Sequence, residues 1–149
     1  MATPSALATL IDLASKETEA AARKLGDTIR LREEATQKLD LLMQYRDDYA
    51  LRCQASLASG IGATQFNNFQ VFMAKLDQAI AGQQQIVADA ARRADQARTD
   101  WIACEQKKMS YVTLNARADQ AEARLALKRD QKQNDEYAAR NAAPKSTPH

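Results

Sequence analysis

The stretch YRDDYALRCQASLASGIGATQFNNFQVF, residues 45–72, decides the fold of this chain. It holds five of the eight aromatic residues of the sequence, and they flank a central Gly60-Ile61-Gly62. Gly60 suits the position just after a helix C-terminus, where a positive φ is common. The stretch therefore predicts a turn at about residues 59–64, with Gly60 and Gly62 making the fold-back between two helices.

The composition of the chain predicts helix almost throughout. Leu, Ile, Val and Phe together account for 26 of the 149 residues, whereas Ala alone accounts for 30. Ala, Gln, Glu, Lys and Arg are strong helix formers, and the three prolines lie only at positions 4, 144 and 148. Because large apolar side chains are few, we expect long, thinly packed helices rather than a compact globule.

Small and apolar residues, interrupted by polar ones such as Arg32, Arg46 and Gln83, recur at alternating spacings of three and four, which is typical of a coiled-coil seam. Before the turn the seam runs through positions 11, 14, 18, 21, 25, 28, 32, 35, 39, 42, 46 and 49. After the turn it runs through positions 69, 73, 76, 80, 83, 87, 90, 94, 97, 101, 104, 108 and 111, and it weakens through 118 and 125. The two seams predict that the helices pair with each other.

A short loop between two long helices favours antiparallel pairing. We therefore predict an all-α protein, a long antiparallel two-helix coiled-coil hairpin with helices at about 4–58 and 65–141. Residues 1–143 would form this single domain, and residues 144–149 a disordered tail. If the chain folds back at Ile61, position 35 faces position 87 and position 49 faces position 73.

The second helix is longer than the first, so its end is predicted to continue alone as a mildly basic helix near residues 124–140. Residues 105–149 carry nine basic and six acidic side chains, although the whole chain has a net charge of only +2. That small net charge gives no strong attraction to nucleic acid or to an anionic membrane. A nucleic-acid-binding helix is the weakest of the functional hypotheses, because tight binding needs many phosphate contacts.

The sequence shows no arrangement of residues that is typical of catalysis or metal binding. The only histidine is His149, so no Ser-His or Cys-His pair and no imidazole metal cluster is expected. The two cysteines fit neither a disulfide framework nor a zinc pattern. Gly60-x-Gly62 lacks the third glycine of a dinucleotide-binding loop and the Lys-Ser/Thr of a P-loop. We therefore expect a protein that is not an enzyme and uses no cofactor or metal.

Sorting signals are also missing from the sequence. The N-terminal stretch MATPSALATL lacks a basic start followed by a long apolar run, so no signal peptide is expected. No run approaches the 18 apolar residues of a transmembrane helix. The sequence therefore predicts a cytoplasmic protein without direct membrane insertion.

Two short stripes of side chains near the turn form the candidate binding surface. Each stripe has 4-3-4 spacing and so lies on one helix face: Lys38, Leu42, Tyr45 and Tyr49 before the turn, and Phe72, Leu76, Ala79 and Gln83 after it. Tyr45 and Phe72 occupy no seam position, so two helices cannot cover them fully. Clustered exposed aromatic residues mark a contact site.

The alternative is that these aromatic residues bind no partner and only stabilise the end of the hairpin by adding buried area. The residues alone leave both interpretations open for the stripes. They also leave open whether Phe66 and Phe69 bind a partner or only stabilise the turn.

The sequence as a whole resembles the flagellar FliJ family, a soluble component of the bacterial type III export apparatus. The resemblance covers nearly the full chain with almost no gaps. It rests on four stretches in the matching order and spacing: LATLIDLASKETEAAARKLG, LLMQYRDDY, GIGATQFNNFQVFMAKLDQAI and DQKQNDEYAAR.

The resemblance implies a specific biological role. The family forms an antiparallel two-stranded coiled coil similar to the central stalk of rotary ATPases. It is held in the hole of the hexameric flagellar export ATPase, promotes ring assembly and engages the transmembrane export gate. It is also linked to substrate-free export chaperones, so the alternative function is a cytosolic chaperone or scaffold. Membership implies a cytoplasmic location at the cytoplasmic face of the cell membrane, at the flagellar base.

The resemblance also assigns residues to these contacts. The family's gate-binding surface matches Leu42, Tyr45, Tyr49, Phe72, Leu76 and Ala79. Lys38 and Gln83 occupy the ends of the two stripes, where relatives often carry Gln and His. By analogy with rotary stalks, the basic end of the second helix would lie in the ATPase ring and the turn would point to the gate. The possible ring contacts are Arg124, Lys128, Arg129, Lys132 and Arg140.

Overall fold

A computed structural model describes residues 4–142 of the chain as two helices. Helix α1 spans Pro4–Ala58 and helix α2 spans Ala63–Ala142. No strand occurs among the described residues, and contacts between α1 and α2 show that they pack against each other. The prediction of an all-α hairpin of two long helices is therefore confirmed. The predicted tail, residues 144–149, lies outside the described residues.

The connection between the helices is short because a glycine ends α1. Gly60 has a φ of +83°, and no other described residue has a positive φ. Its N–H donates to the carbonyl of Leu57 at 3.2 Å, and the N–H of Ser59 donates to that of Ala55 at 3.2 Å. Phe66 N–H then donates to the Gly62 carbonyl at 3.1 Å. Helix α2 thus begins at Ala63, so the turn covers only residues 59–62.

The described residues divide into two compact units, each combining a part of α1 with a part of α2. The turn unit comprises residues 17–104 and contains the connection between the helices. The terminal unit comprises residues 4–16 together with residues 105–142.

The core of the turn unit is a line of small residues. Its buried side chains are Thr18, Ala35, Leu76, Ala94 and Ala97. Every predicted seam position within this unit is buried or half-buried. Because alanine brings the helices together but removes little apolar area from water, the core is continuous and thin, as the composition predicts.

The terminal unit has a still smaller core. Leu7 and Ala14 are its buried residues, and positions 11, 108, 111 and 118 are half-buried. Leu125, the last weak seam position, is 53% exposed, and every residue from 119 to 142 is exposed. The end of α2 is therefore a helix without a covered face, as expected from its length.

Some contacts between the helices depart from the register expected for a fold-back at Ile61, whereas the Arg46–Asp77 ion pair lies within one residue of it. The side-chain amide of Gln83 donates to the Ala35 carbonyl at 2.9 Å, whereas position 87 was expected there. The ring of Tyr49 lies against Phe69 and Phe72 rather than against position 73. These contacts lie up to about one helical turn closer to the connection, which is shorter than predicted. Seam residues still meet seam residues because the shift follows the three-four repeat.

Candidate partner-binding surface

Four aromatic side chains from both helices form one cluster in the turn unit. Tyr49 lies at its centre, with its ring centroid 4.6 Å from that of Phe72 and 5.5 Å from that of Phe69. Tyr45 meets Phe72 edge-on at 6.3 Å, with an interplanar angle of 77°. Edge-to-face pairs of this kind add about 0.5–1.5 kcal/mol beyond area burial. The cluster therefore fastens α1 to α2.

The members of the cluster differ in exposure. Tyr45 is 48% exposed, whereas Tyr49, Phe69 and Phe72 are half-buried. Phe72, which has no seam position, thus packs into the space beside Tyr49 instead of standing free. Tyr45 is therefore the most exposed member of the cluster and the one most accessible to a partner.

The aliphatic members of the two stripes lie deeper. Leu76 is only 7% exposed and Leu42 is half-buried, so both contribute to the core rather than to the surface. Ala79 is exposed and adds a small apolar area on α2. The stripes therefore begin in the core and reach the surface at Tyr45 and Ala79.

An ion pair crosses between the helices at the level of the cluster. The Arg46 guanidinium Nε lies 2.5 Å from Asp77 Oδ1. This hydrogen bond and the charge of Asp77 raise the pKa of Arg46, so its positive charge is held firmly. The periodicity placed Arg46 in the seam as a polar exception. A basic residue in a seam is expected to pair with an acidic residue on the facing helix. The sequence therefore contained the information that identifies Asp77 as its partner.

The environment of Tyr49 also favours its neutral form. Loss of water contact raises the pKa of its phenol, and the neighbouring Cys53 and Tyr45 contribute in the same direction. A neutral, half-buried phenol is consistent with a packing role for Tyr49. It carries no catalytic implication in the absence of a charged partner.

Lys38 and Gln83, the outer ends of the stripes, lie away from the aromatic cluster. Both line a separate groove between α1 and α2. Lys38 is exposed, whereas Gln83 is half-buried and uses its amide on the Ala35 carbonyl. The structure therefore brings Tyr45, Tyr49 and Phe72 of the stripes into contact and places Lys38 and Gln83 on another surface.

The two phenylalanines nearest the turn have different surroundings. Phe69 packs against Tyr49 and so belongs to the aromatic cluster. Phe66 is 40% exposed and lines a shallow apolar groove with Cys53, Leu57 and Met73. Sequence periodicity also missed Leu41, which is 65% exposed one turn before Tyr45. The sequence did indicate its exposure, because Leu41 is a large apolar residue at a position outside the seam.

The basic residues predicted to contact an ATPase ring all lie on the uncovered end of α2. Each is exposed: Arg124, Lys128, Arg129, Lys132 and Arg140. Three large apolar side chains accompany them and are 53–68% exposed: Leu125, Leu127 and Tyr137. This part of α2 offers both charge and apolar area to a partner.

Within residues 4–142 no cluster of three or more His, Cys, Asp or Glu side chains is placed to hold a metal ion. None of the described helices combines the length and apolarity needed to cross a membrane.

Comparison with known proteins relates nearly the whole chain to one family. Residues 4–147 match the family described as Flagellar FliJ protein. The Flagellar FliJ protein of Escherichia coli (strain K12) is 34% identical over 145 residues, which cover 97% of this chain and 99% of that relative. The Flagellar FliJ protein of Salmonella typhi is 32% identical, with the same coverage.

Proposed function

The chain belongs to the flagellar FliJ family, and we propose that it is a non-enzymatic, stalk-like component of the flagellar type III export apparatus. In this role it binds the hexameric export ATPase, promotes assembly of the ATPase ring and couples the ring to the transmembrane export gate. It acts in the cytoplasm, at the cytoplasmic face of the cell membrane beneath the flagellum.

One observation supports the proposal: the chain exposes two surfaces of different chemistry. The aromatic cluster draws on both helices and includes Tyr45, which is 48% exposed. The end of α2 presents only exposed residues, among them five basic ones. A protein that couples two partners needs two such surfaces, and we assign the aromatic surface to the gate and the basic one to the ATPase.

The aromatic surface suits a reversible contact. A small area centred on one exposed aromatic ring resembles the hot spot of a weak, transient interface. Its backbone is held by the Tyr49 contacts and the Arg46–Asp77 pair, so little order has to be gained on binding. Permanent docking would prevent the repeated cycles that export requires.

The decisive experiment separates the two surfaces by measuring two activities on the same variants. Tyr45→Ala with Phe72→Ala should weaken binding to a purified cytosolic gate fragment by about tenfold or more, since hot-spot aromatic residues cost at least that when truncated. The same variant should still stimulate the purified export ATPase. Replacing Arg124, Lys128 and Lys132 by Ala should reduce stimulation of the ATPase and leave binding to the gate fragment unchanged.

Two controls protect this test against misfolding. The single change Tyr45→Ala leaves the Tyr49 contacts with Phe69 and Phe72 intact and should show most of the loss. Leu51→Ala changes another exposed apolar residue of α1, 64% exposed, and should alter neither activity. Undiminished gate binding by the double variant would refute the gate assignment. Stable complexes with export chaperones in the absence of the ATPase would instead support the chaperone function.

A further inference from the structure

A groove in the turn unit has a two-fold symmetric chemistry that the proposed function does not use. Antiparallel helices are related locally by a two-fold axis, and each lining residue on α1 has a counterpart of the same kind 55 positions later on α2. The three informative pairs are Leu31 with Ile86, Glu34 with Asp89, and Lys38 with Arg93.

The centre of the groove is apolar and open. Leu31 is 52% exposed and Ile86 is 53% exposed, and neither belongs to the seam. Ala35, which is 6% exposed, and the half-buried Ala90 line the same groove. Two small residues flanked by two larger ones leave a depression that fits one aliphatic side chain.

The charges of the groove follow a fixed order. Because Gln83 lies beside Ala35, the four charged residues succeed one another toward the turn as base, acid, acid, base: Arg93, Asp89, Glu34 and Lys38. Asp89 also accepts a hydrogen bond from Arg92 of its own helix, so Glu34 carries the less compensated negative charge.

We propose that this groove binds an amphipathic helix of a partner protein with the complementary charge order. That helix carries an aliphatic side chain at its centre, a basic residue about one turn to either side, and an acidic residue beyond each of these. Binding of one helix face in a groove between two others is a common recognition mode. A second copy of this groove is a poor occupant, because the central acidic residues of the two copies would meet.

This surface is distinct from the one assigned to the gate. Lys38 and Gln83 mark the border between them, and the aromatic cluster lies on the other side of that border. Loss of gate binding and loss of helix binding in this groove are therefore expected from different variants.

The probe is a stapled helical peptide of about 17 residues, long enough for the charge order at the helical rise of 1.5 Å. It has a central leucine, a lysine about one turn to either side and a glutamate beyond each lysine. In fluorescence anisotropy at low salt, we expect micromolar affinity for the full-length chain. A peptide in which the lysines and glutamates are exchanged should bind about tenfold more weakly. Equal affinity for the two peptides, or no binding of the first, would overturn the proposal.

Variants then locate the binding site. Leu31→Ala with Ile86→Ala should weaken binding by about tenfold. The matched control, Leu41→Ala with Val71→Ala, removes two comparably exposed side chains from the same helices and should leave affinity unchanged. If the groove variant binds as well as the parent, the site is wrong.

A charge exchange excludes unfolding as the explanation. Replacing Glu34 and Asp89 by Lys, and Lys38 and Arg93 by Glu, should transfer the preference to the exchanged peptide, and circular dichroism should show unchanged helicity. Failure of this transfer contradicts the charge assignment. Tyr45→Ala with Phe72→Ala should retain parental affinity, and its loss would place the peptide on the aromatic surface instead.

Discussion

The aromatic end of the turn unit and residues 119–142 of α2 are both helical, but different forces define them. Around Tyr49, rings from two helices interlock and an ion pair joins Arg46 to Asp77. From residue 119 to residue 142 every side chain is exposed, so backbone hydrogen bonds and helix propensity are the main forces that stabilise the segment.

This difference separates two properties that helical sequences usually combine. Propensity alone makes the end of α2 helical, because it is rich in Ala, Gln, Lys and Arg. A defined partner helix requires seam residues large enough to lose area on pairing, and these are abundant only in the other region. The first region holds a fixed geometry, whereas the second keeps its whole circumference available for binding.

The largest expected effect is a loss of stability, and it appears when Leu→Ala is made in the paired region rather than in the uncovered end of α2. Leu76→Ala removes a 7% exposed side chain from the core and should lower the free energy of unfolding by about 2 kcal/mol, near the low end for buried leucines because the core is thin. Leu127→Ala removes one that is 68% exposed and should change it by less than about 0.5 kcal/mol. Urea denaturation followed by circular dichroism measures both. Equal losses would show that seam burial does not distinguish the regions.

A smaller effect is expected at the turn, which creates the paired region. Gly60→Ala places a side chain at a φ of +83° and should cost about 1 kcal/mol. Gly62→Ala is the matched control, since an added Cβ meets open space at both glycines and only Gly60 has a positive φ. Thermal unfolding of the two variants measures the difference. If Gly62→Ala is the more damaging change, the backbone explanation for Gly60 is wrong.

The smallest effect concerns the cross-helix ion pair. Arg46→Ala should lower the thermal midpoint slightly at low salt, by less than Gly60→Ala, because exposed ion pairs contribute little. At about 1 M salt the Debye length falls to about 3 Å, and the variant should approach the parent. Arg129→Ala, in the unpaired region, should leave the midpoint unchanged at both salt concentrations. A persistent deficit of Arg46→Ala at high salt would indicate lost packing rather than lost charge.

Much of the fold could be predicted from local signals. Gly60 indicated the turn, and the three-four repeat predicted buried positions such as Ala35, Ala94 and Ala97 from the sequence alone. The register was less predictable, because a repeat of seven allows seam residues to meet after a shift of about one turn. The exposure of Tyr45 was predicted from its place outside the seam. The packing of Phe72 onto Tyr49 was not, because periodicity says nothing about rings beside the seam.

The sequence by itself determined the helical state, the place of the turn and the surplus length of α2, because propensity, glycine conformation and apolar spacing act over a few neighbouring residues. Only the tertiary structure decided which side chains share a surface. It paired Arg46 with Asp77, set Leu31 against Ile86 across a groove, and left Tyr45 as the exposed ring of the cluster. Such neighbours are far apart in the chain, and their contact depends on how closely alanines allow two helices to approach.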